Sequence, residues 1–435
     1  MGVDTTVTKK RLDSWKSIAE FMNRSLRTVQ RWHECNGLPV HHFGGHKGSV
    51  FAFEDEIDHW LAGVAEVSGT AQAGVDEALK SGKRSSSELS MTADGMWETR
   101  SERSIQTIAN LYRKAIDADS RNSAAFTGLA NALVFCALNG IVDGTMAYPS
   151  AMEALRRIPQ LDSEYLDAKC PAAWIDMLYN HNWRQARAGF AEIVNKRPSS
   201  FAIAGQAAMH IADGRIHEAL ACGWQAWRLN PLVCPLGGLL CWILYLSGDV
   251  QQVLNLVAQI RTGGGDESLV AAVESLVLIQ DGRVAANMGR LEEAASEFPQ
   301  CQTLQGIVGY AYGILGEMSR AEEKRALLAH CTEAGRKNNG YALAIVSLGL
   351  DNRQEAISWL EAAYAEGALW SLGFRFDPIL RPLKGNPRFA RLLSRIGATT
   401  HSLVDAGFPA RTTEPLLERA VLGENPRECQ PADLG

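Results

Sequence analysis

Gly214-Arg-Ile-His-Glu-Ala-Leu220 is the first of four segments that decide the architecture, because Gly248, Gly282 and Gly316 follow its glycine at equal steps of 34 residues. Each glycine stands shortly before a helix-forming run, as in Glu218-Ala219-Leu220 and in Gly316-Glu-Met-Ser-Arg-Ala321. Glycine tolerates the left-handed backbone that closes a helix, so the spacing predicts first helices that stop here and second helices that begin just beyond. Pro198, Pro231 and Pro299 fall at the ends of those second helices, where proline halts one unit and lets the next start. His181-Asn-Trp-Arg-Gln-Ala186 and Asp351-Asn-Arg-Gln-Glu-Ala356 are in phase with turns that lack the glycine. Ala186, Ala219, Ala321 and Ala356 take the place where the two helices of a unit cross, and Phe190, Leu291 and Leu360 fill the space beside them.

A 34-residue period with small residues at the crossing strongly resembles the tetratricopeptide (TPR) family, over roughly 270 residues. An early unit is visible in Ile108-Ala-Asn-Leu-Tyr-Arg-Lys-Ala115 followed by Phe126, Leu129 and Ala130. Between Asn139 and Asp167 the spacing breaks, and Gly140, Gly144 and Pro149 read as an insertion or a longer loop. Phe376-Asp-Pro378 through Pro387-Arg-Phe389, with Leu392, Leu393 and Ile396, resembles the terminal cap of some bacterial members of the family, needed because a last repeat has no neighbour to cover it. The resemblance implies a solenoid of helix pairs with a concave partner groove on the first helices, lined by Ile175, Tyr179, Phe201, Trp242, Tyr245, Ile279 and Tyr310. Such a groove is apolar and aromatic and suits a protein or an amphipathic peptide helix. Leu416, Leu417, Ala420 and Val421 share one face in residues 414–422 and offer an occupant within the chain.

A different pattern occupies the N-terminus. Trp15, Ile18, Ala19 and Met22 repeat as one helix face, with Ser14 as its cap. Asn23-Arg24-Ser25 forms a polar turn into a second helix, on which Leu26, Val29 and His33 share one side while Arg27, Thr28, Arg31 and Glu34 share the other. Residues 39–43 and 49–53 read as short strands around Gly44-Gly-His46-Lys47-Gly48, and Glu54, Asp55 and Glu56 open a closing helix through Ile57, Trp60 and Leu61. Arg31-Trp-His-Glu34 with Gly37-Leu38 resembles the MerR regulators, and Phe51 and Phe53 through Trp60-Leu61 resemble the excisionase-like close, with Trp32 and His33 standing where MerR regulators have two tyrosines. The resemblance implies a winged helix-turn-helix that binds double-stranded DNA through Arg24, Ser25, Arg27, Thr28, Gln30 and Arg31, with His46 and Lys47 in the wing. A homodimer stays open.

The chain of 435 residues is 46% hydrophobic and 21% charged, an ordinary globular composition for more than one domain. Its formal net charge of −6 is uneven: Lys9 to Lys47 hold eight cations against three anions, a balance of +5 that leaves −11 for the rest. Nine cysteines without a C-x-x-C, and no secretory signal at the N-terminus, are expected of a cytoplasmic chain with free thiols. Leu232 to Leu246 lack charge but fall short of the roughly 20 residues that cross a bilayer, so no membrane span is expected. His33, Cys35, His41, His42 and His46 match no zinc spacing, Gly263-Gly-Gly-Asp266 lacks a following Gly-Lys-Ser/Thr, and His217-Glu218 lacks its second histidine. No catalytic residue, metal or cofactor is therefore expected, and the chain does not read as an enzyme.

The expected fold is mainly α: a winged helix-turn-helix over residues 1–61, a flexible linker over 62–100, a TPR α-solenoid with its cap over 101–397, and a mostly disordered tail with one short helix over 398–435. The expected function is a cytoplasmic DNA-binding transcriptional regulator whose array binds a protein or peptide. The alternative is a TPR adaptor or scaffold carrying a degenerate helix-turn-helix that does not bind DNA.

Overall fold

A computed structural model of the chain describes residues 11–22, 29, 33, 38–42, 50–57, 85–158, 165–231, 233–262, 267–280, 282–333 and 339–397. The N-terminal part contains β1 (Arg11–Leu12), α1 (Trp15–Phe21), β2 (His41–His42) and β3 (Val50–Phe53). Its strands form an antiparallel sheet in the order β1-β3-β2, with Leu12 opposite Ala52 and His41 opposite Phe51. Leu12, Ile18, Ala19, Val29, Leu38, Val40, Val50, Ala52 and Ile57 make a small core of their own.

The array consists of α2 (Ser86–Trp97) and α3 (Ile105–Ala118), α4 (Ser123–Leu138) and α5 (Gly144–Arg157), α6 (Lys169–Leu178) and α7 (Trp183–Lys196), and α8 (Ser200–Ala212) and α9 (Ile216–Leu229). It continues with α10 (Cys234–Ser247) and α11 (Val250–Thr262), α12 (Ser268–Gln280) and α13 (Val284–Glu297), α14 (Gln302–Ile314) and α15 (Met318–Glu333), and α16 (Gly340–Gly349) and α17 (Arg353–Ala365). Two 3-10 turns, Leu369–Gly373 and Pro378–Leu383, and a last helix, α18 (Pro387–Ser394), follow. This is a repeat of helix pairs whose first helices α8, α10, α12 and α14 begin 34 residues apart.

The repeated glycine does what its spacing predicts. Gly214, Gly248, Gly282 and Gly316 all have positive φ, between 75° and 85°, and His181 (52°) and Asp351 (56°) hold the same turn without glycine. The turn survives there because the closing hydrogen bond is kept: the Asn352 amide returns to the Ser347 carbonyl at 2.8 Å, as the Arg215 amide returns to His210 at 2.8 Å and that of Asp249 to Leu244 at 3.0 Å. Ala186, Ala219, Ala321 and Ala356 are fully buried. First and second helices differ in kind. In α10 every residue from Pro235 to Leu246 is buried, whereas α9 buries one stripe, Ile216, Ala219, Gly223, Ala226 and Trp227.

Two expectations fail here. The linker does not extend to residue 100: Ser85 and Glu88 form a reciprocal capping box, the Ser85 hydroxyl accepting from the Glu88 amide and the Glu88 carboxylate from the Ser85 amide, and start α2. Leu89 and Ala93 of α2 are buried, and the Tyr112 hydroxyl donates to Asp94 at 2.7 Å, so α2 belongs to the array. Nor are residues 144–157 a loop, because Asp143 caps α5 and Ala147, Ala151 and Ala154 give it a buried stripe. Pro149 lies in the second turn of that helix, where it cannot donate to the Thr145 carbonyl. The tail over 398–435, with its expected helix at 414–422, lies outside the described residues.

Ala219→Leu should overpack the crossing of α8 and α9 and cost about 1–3 kcal/mol, read as a lowered midpoint in thermal unfolding followed by circular dichroism.

Candidate interaction site

The first helices present their aromatic residues to the inside of the array, where the sequence predicts an open groove. The inside is not open. The chain turns back after α17, and the segment from Gly367 to Ile396 covers the predicted wall. Trp370 lies edge-on to Trp242 at 5.4 Å between ring centres and flat on Tyr341 at 4.9 Å, with 5° between the planes. Gly373 is tucked against Trp242 so closely that a Cβ there would come within 2.6 Å of the indole. Leu372, Phe374, Ile379, Leu380 and Leu383 complete an apolar plug.

Asp377 fixes this plug. Its carboxylate caps the turn Pro378–Leu383 by accepting from the Ile379 amide at 3.1 Å, and accepts the hydroxyls of Tyr245 at 2.8 Å and Tyr341 at 2.6 Å. One carboxylate therefore ties α10 to α16. Burial pushes the Asp377 carboxyl up from its ordinary value, while the hydrogen bonds from Tyr341, Tyr245 and the Ile379 amide pull it back down. Burial, followed by the negative charge of Asp377, drives both tyrosines well above the ordinary phenol range.

A seam closes the same side of the array further along. The Tyr148 hydroxyl on α5 donates to the Gly367 carbonyl at 3.0 Å, and the His181 ring lies flat on Tyr364 at 4.0 Å. The Arg395 guanidinium rests 4.7 Å from the Tyr364 ring centre, and the Tyr364 hydroxyl donates to the Arg395 carbonyl at 3.0 Å. Glu366 stands in this seam with one carboxylate oxygen buried and unbonded. Burial, then the charge of Asp143, raises its carboxyl from the ordinary 4.5 to about 7.

At the other end the connection between α2 and α3 is tied across the first helices. Arg100 is buried, donates to the Trp97 carbonyl at 2.8 Å and lies 4.0 Å from the Trp97 ring centre, with Phe201 at 5.3 Å and Phe135 at 5.5 Å. Burial lowers its guanidinium to about 10, which leaves it charged at neutral pH. The Glu102 amide donates to Glu267 at 3.3 Å, and Asn230 donates to Glu98 at 3.0 Å.

The predicted groove residues are thus separated among three packed regions. Trp242 and Tyr245 face the plug, Phe201 faces Trp97 and Arg100, and Tyr179 faces Tyr148 at 5.5 Å. Ile175, Phe201, Trp242, Tyr245 and Ile279 are buried, and Tyr179 and Tyr310 partly so. The expectation of an open apolar groove is corrected, because the chain's own residues 367–383 occupy the position assigned to a peptide. Trp370, Asp377, Tyr341 and Arg100 were not anticipated. The signal for the first two was the run Trp370-Ser-Leu-Gly-Phe-Arg-Phe-Asp377, too apolar for an outward cap.

Of the residues expected to contact DNA, Arg24, Ser25, Arg27, Thr28, Gln30, Arg31, His46 and Lys47 lie outside the described residues. Their neighbours are described: Val29 is buried, and His33 meets Trp15 at 5.7 Å and holds the Leu38 carbonyl through Nδ1 at 2.9 Å. These inward positions are four apart, as expected for the apolar side of a helix.

No family model matches the sequence, and no curated protein matches it either. Among solved structures, the Cut9–Hcn1 hetero-tetramer of the APC/C is similar at 12% identity and a TM-score of 0.49, over 85% of this chain and 75% of that one. The human IFIT1 dimer with PPP-AAAA is similar at 12% identity and 0.45, over 80% and 84%, and yeast Tom70 at 12% and 0.40, over 87% and 84%. At such identities the likeness concerns the fold alone. Among the described residues no helix is long and apolar enough to cross a membrane, and no group of three or more His, Cys, Asp or Glu is placed to hold a metal.

Asp377→Ala should strand the Tyr245 and Tyr341 hydroxyls and cost about 1–3 kcal/mol for each, measurable as a shifted urea midpoint. A second expectation concerns pH. Because the folded Glu366 carboxyl sits above its unfolded value, its contribution is fully present below about 4.5 and is lost as pH rises through about 7. Glu366→Gln should therefore raise the melting temperature at pH 8 relative to the parent chain and leave it nearly unchanged at pH 4.5. A variant with the parent's melting temperature at both pH values would reject the role of Glu366.

Proposed function

We propose that the chain is a TPR-type interaction scaffold that engages protein partners through its outer helices and rims. The observation that supports this reading is the filled concave side: Trp370, Phe374 and Asp377 take the positions where an open array would receive a peptide. The array then acts as a rigid body, and recognition moves to the second helices, whose outward faces carry fixed charge pairs. Arg325 bridges Glu322 and Glu355, and Arg320 of α15 joins Glu317 to Glu292 of α13. Surface pairs of this kind add little stability but fix the position of charge, which favours specificity over affinity. As in the sequence-based expectation, the scaffold is proposed to be neither an enzyme nor dependent on a cofactor.

A second reading, a DNA-binding transcriptional regulator, draws support from the N-terminal part. Its separate core includes Val29, His33 holds the Leu38 carbonyl beside it, and Lys9 to Lys47 carry a balance of +5. Under this reading the scaffold is delivered to DNA by the small domain, and Lys47→Ala weakens binding to all sequences alike.

One experiment addresses both readings. Hydrogen exchange of the full chain, alone and with a partner captured by cross-linking, should show new protection on α11, α13 and α15 and none on α10. Protection confined to α10 and Leu369–Gly373 would reject the outer-face reading. A mobility shift of the chain's own promoter fragment, lost in Arg27→Ala, is the outcome expected if the second reading also holds; no shift leaves the scaffold alone.

A further inference from the structure

The segment that fills the concave side has an unusual charge. Between Arg375 and Arg395 it carries six cations, Arg375, Arg381, Lys384, Arg388, Arg391 and Arg395, against one anion, Asp377, in a chain whose overall charge is −6. That anion points inward to Tyr245 and Tyr341, so the segment presents no negative charge of its own outward. Its apolar residues, Ile379, Leu380, Leu383, Phe389, Leu392 and Ile396, are buried, while Arg381, Lys384, Arg391 and Arg395 are exposed. On α18 and the residue after it, Arg388, Arg391 and Arg395 recur at i, i+3 and i+7 and form one cationic edge.

Packing holds this edge in place. Arg388 gives its Nε and Nη2 to the Glu361 carboxylate at 2.9 and 2.6 Å, and Arg395 lies over the Tyr364 ring. Gly397 brings the end of the segment against α8, where an added Cβ would lie 2.4 Å from the Ala212 carbonyl. Beside that carbonyl, the buried carboxylate of Asp213 binds both Arg187 at 2.6 Å and Arg215 at 2.9 Å, two cations on one anion. The positive surplus therefore continues from α18 onto the turn between α8 and α9.

We propose that this ridge is a docking surface for the phosphate backbone of nucleic acid. A polymer with one negative charge at every step matches cations that recur every three or four residues along a helix, and the arginine fork pairs with two phosphate oxygens at once. Cations already held by neighbouring side chains lose little freedom on binding. The proposal stands apart from the scaffold reading and from the N-terminal domain.

The test uses the full chain carrying Arg27→Ala and Lys47→Ala, so that the N-terminal domain contributes least, and fluorescence anisotropy with a labelled duplex of arbitrary sequence across a salt series. Adding Arg381→Gln, Lys384→Gln and Arg391→Gln, which leaves the Glu361 pair and the Tyr364 contact intact, should weaken binding about tenfold or more at low salt. It should also flatten the slope of log affinity against log salt by about two to three. An unchanged melting temperature checks that the variant folds. Equal affinity and slope in both chains, or no binding by either, would overturn the proposal. Binding of poly-glutamate but not the duplex through the same three cations would overturn it as well, and assign the ridge to an acidic protein.

Discussion

A helix that is apolar on every side has to be covered on every side, and α10 imposes that requirement on the whole array. Cys241, Trp242, Ile243, Leu244, Tyr245 and Leu246 follow one another without a polar face, and all are buried. Helices α9, α11 and α12 cover three flanks. The fourth faces the inside of the array, where an open solenoid would leave Trp242 and Tyr245 in water. At about 25 cal/mol per Å² of apolar surface, leaving two such aromatic side chains exposed would forgo several kcal/mol. The segment after α17 supplies the missing cover, which explains why it carries Trp370, Leu372 and Phe374 rather than the polar outer face of an ordinary cap.

Covering an apolar wall brings polar groups inside with it, and Asp377 is the partner of two of them. The hydroxyls of Tyr245 and Tyr341 would be stranded by the plug without Asp377, and Asp377 would be an isolated buried charge without them. At the opposite end Arg100 is balanced differently. It has no ion pair among the described residues; three aromatic faces and one carbonyl offset part of its desolvation, and Nε and Nη2 stay buried without a hydrogen-bond partner among those residues. One carboxylate and one guanidinium thus seat the two ends of the array, Asp377 against α10 and α16 and Arg100 against α4 and α8.

The parts visible in the sequence are those governed by local rules. The glycine period, the alanines at the crossings and the prolines after second helices each report a constraint satisfied within one unit, and each is found where the spacing places it. The start of α2 was legible too, since Ser85-Ser-Ser-Glu88 is a capping box, but it is easily lost in a run of serines. The filled groove was not legible. Whether Trp242 faces solvent, a peptide or Trp370 depends on residues 128 positions apart in the chain, and periodicity carries no information at that range. In the N-terminal part the structure holds three short strands and a buried Val29, while the residues that would touch DNA lie outside the described part.

Long-range closure also changes how such an array behaves as a physical object. A simple solenoid holds only nearest-neighbour contacts, so its units can open and close almost independently along the chain. Here Tyr148 bonds to Gly367 across 219 residues, Tyr245 to Asp377 across 132, and Glu102 to Ser268 across 166. Opening any unit between these pairs breaks a contact made by a distant one, which couples the units into one cooperative body. The same contacts raise the loop-closure entropy that folding must overcome, so assembly of the inside depends on residues 367–397, which leave the ribosome after all the helices they cover. Until then the aromatic wall of α10 is exposed. Once the segment is docked its apolar side is buried, and Arg381, Lys384, Arg391 and Arg395 remain outside.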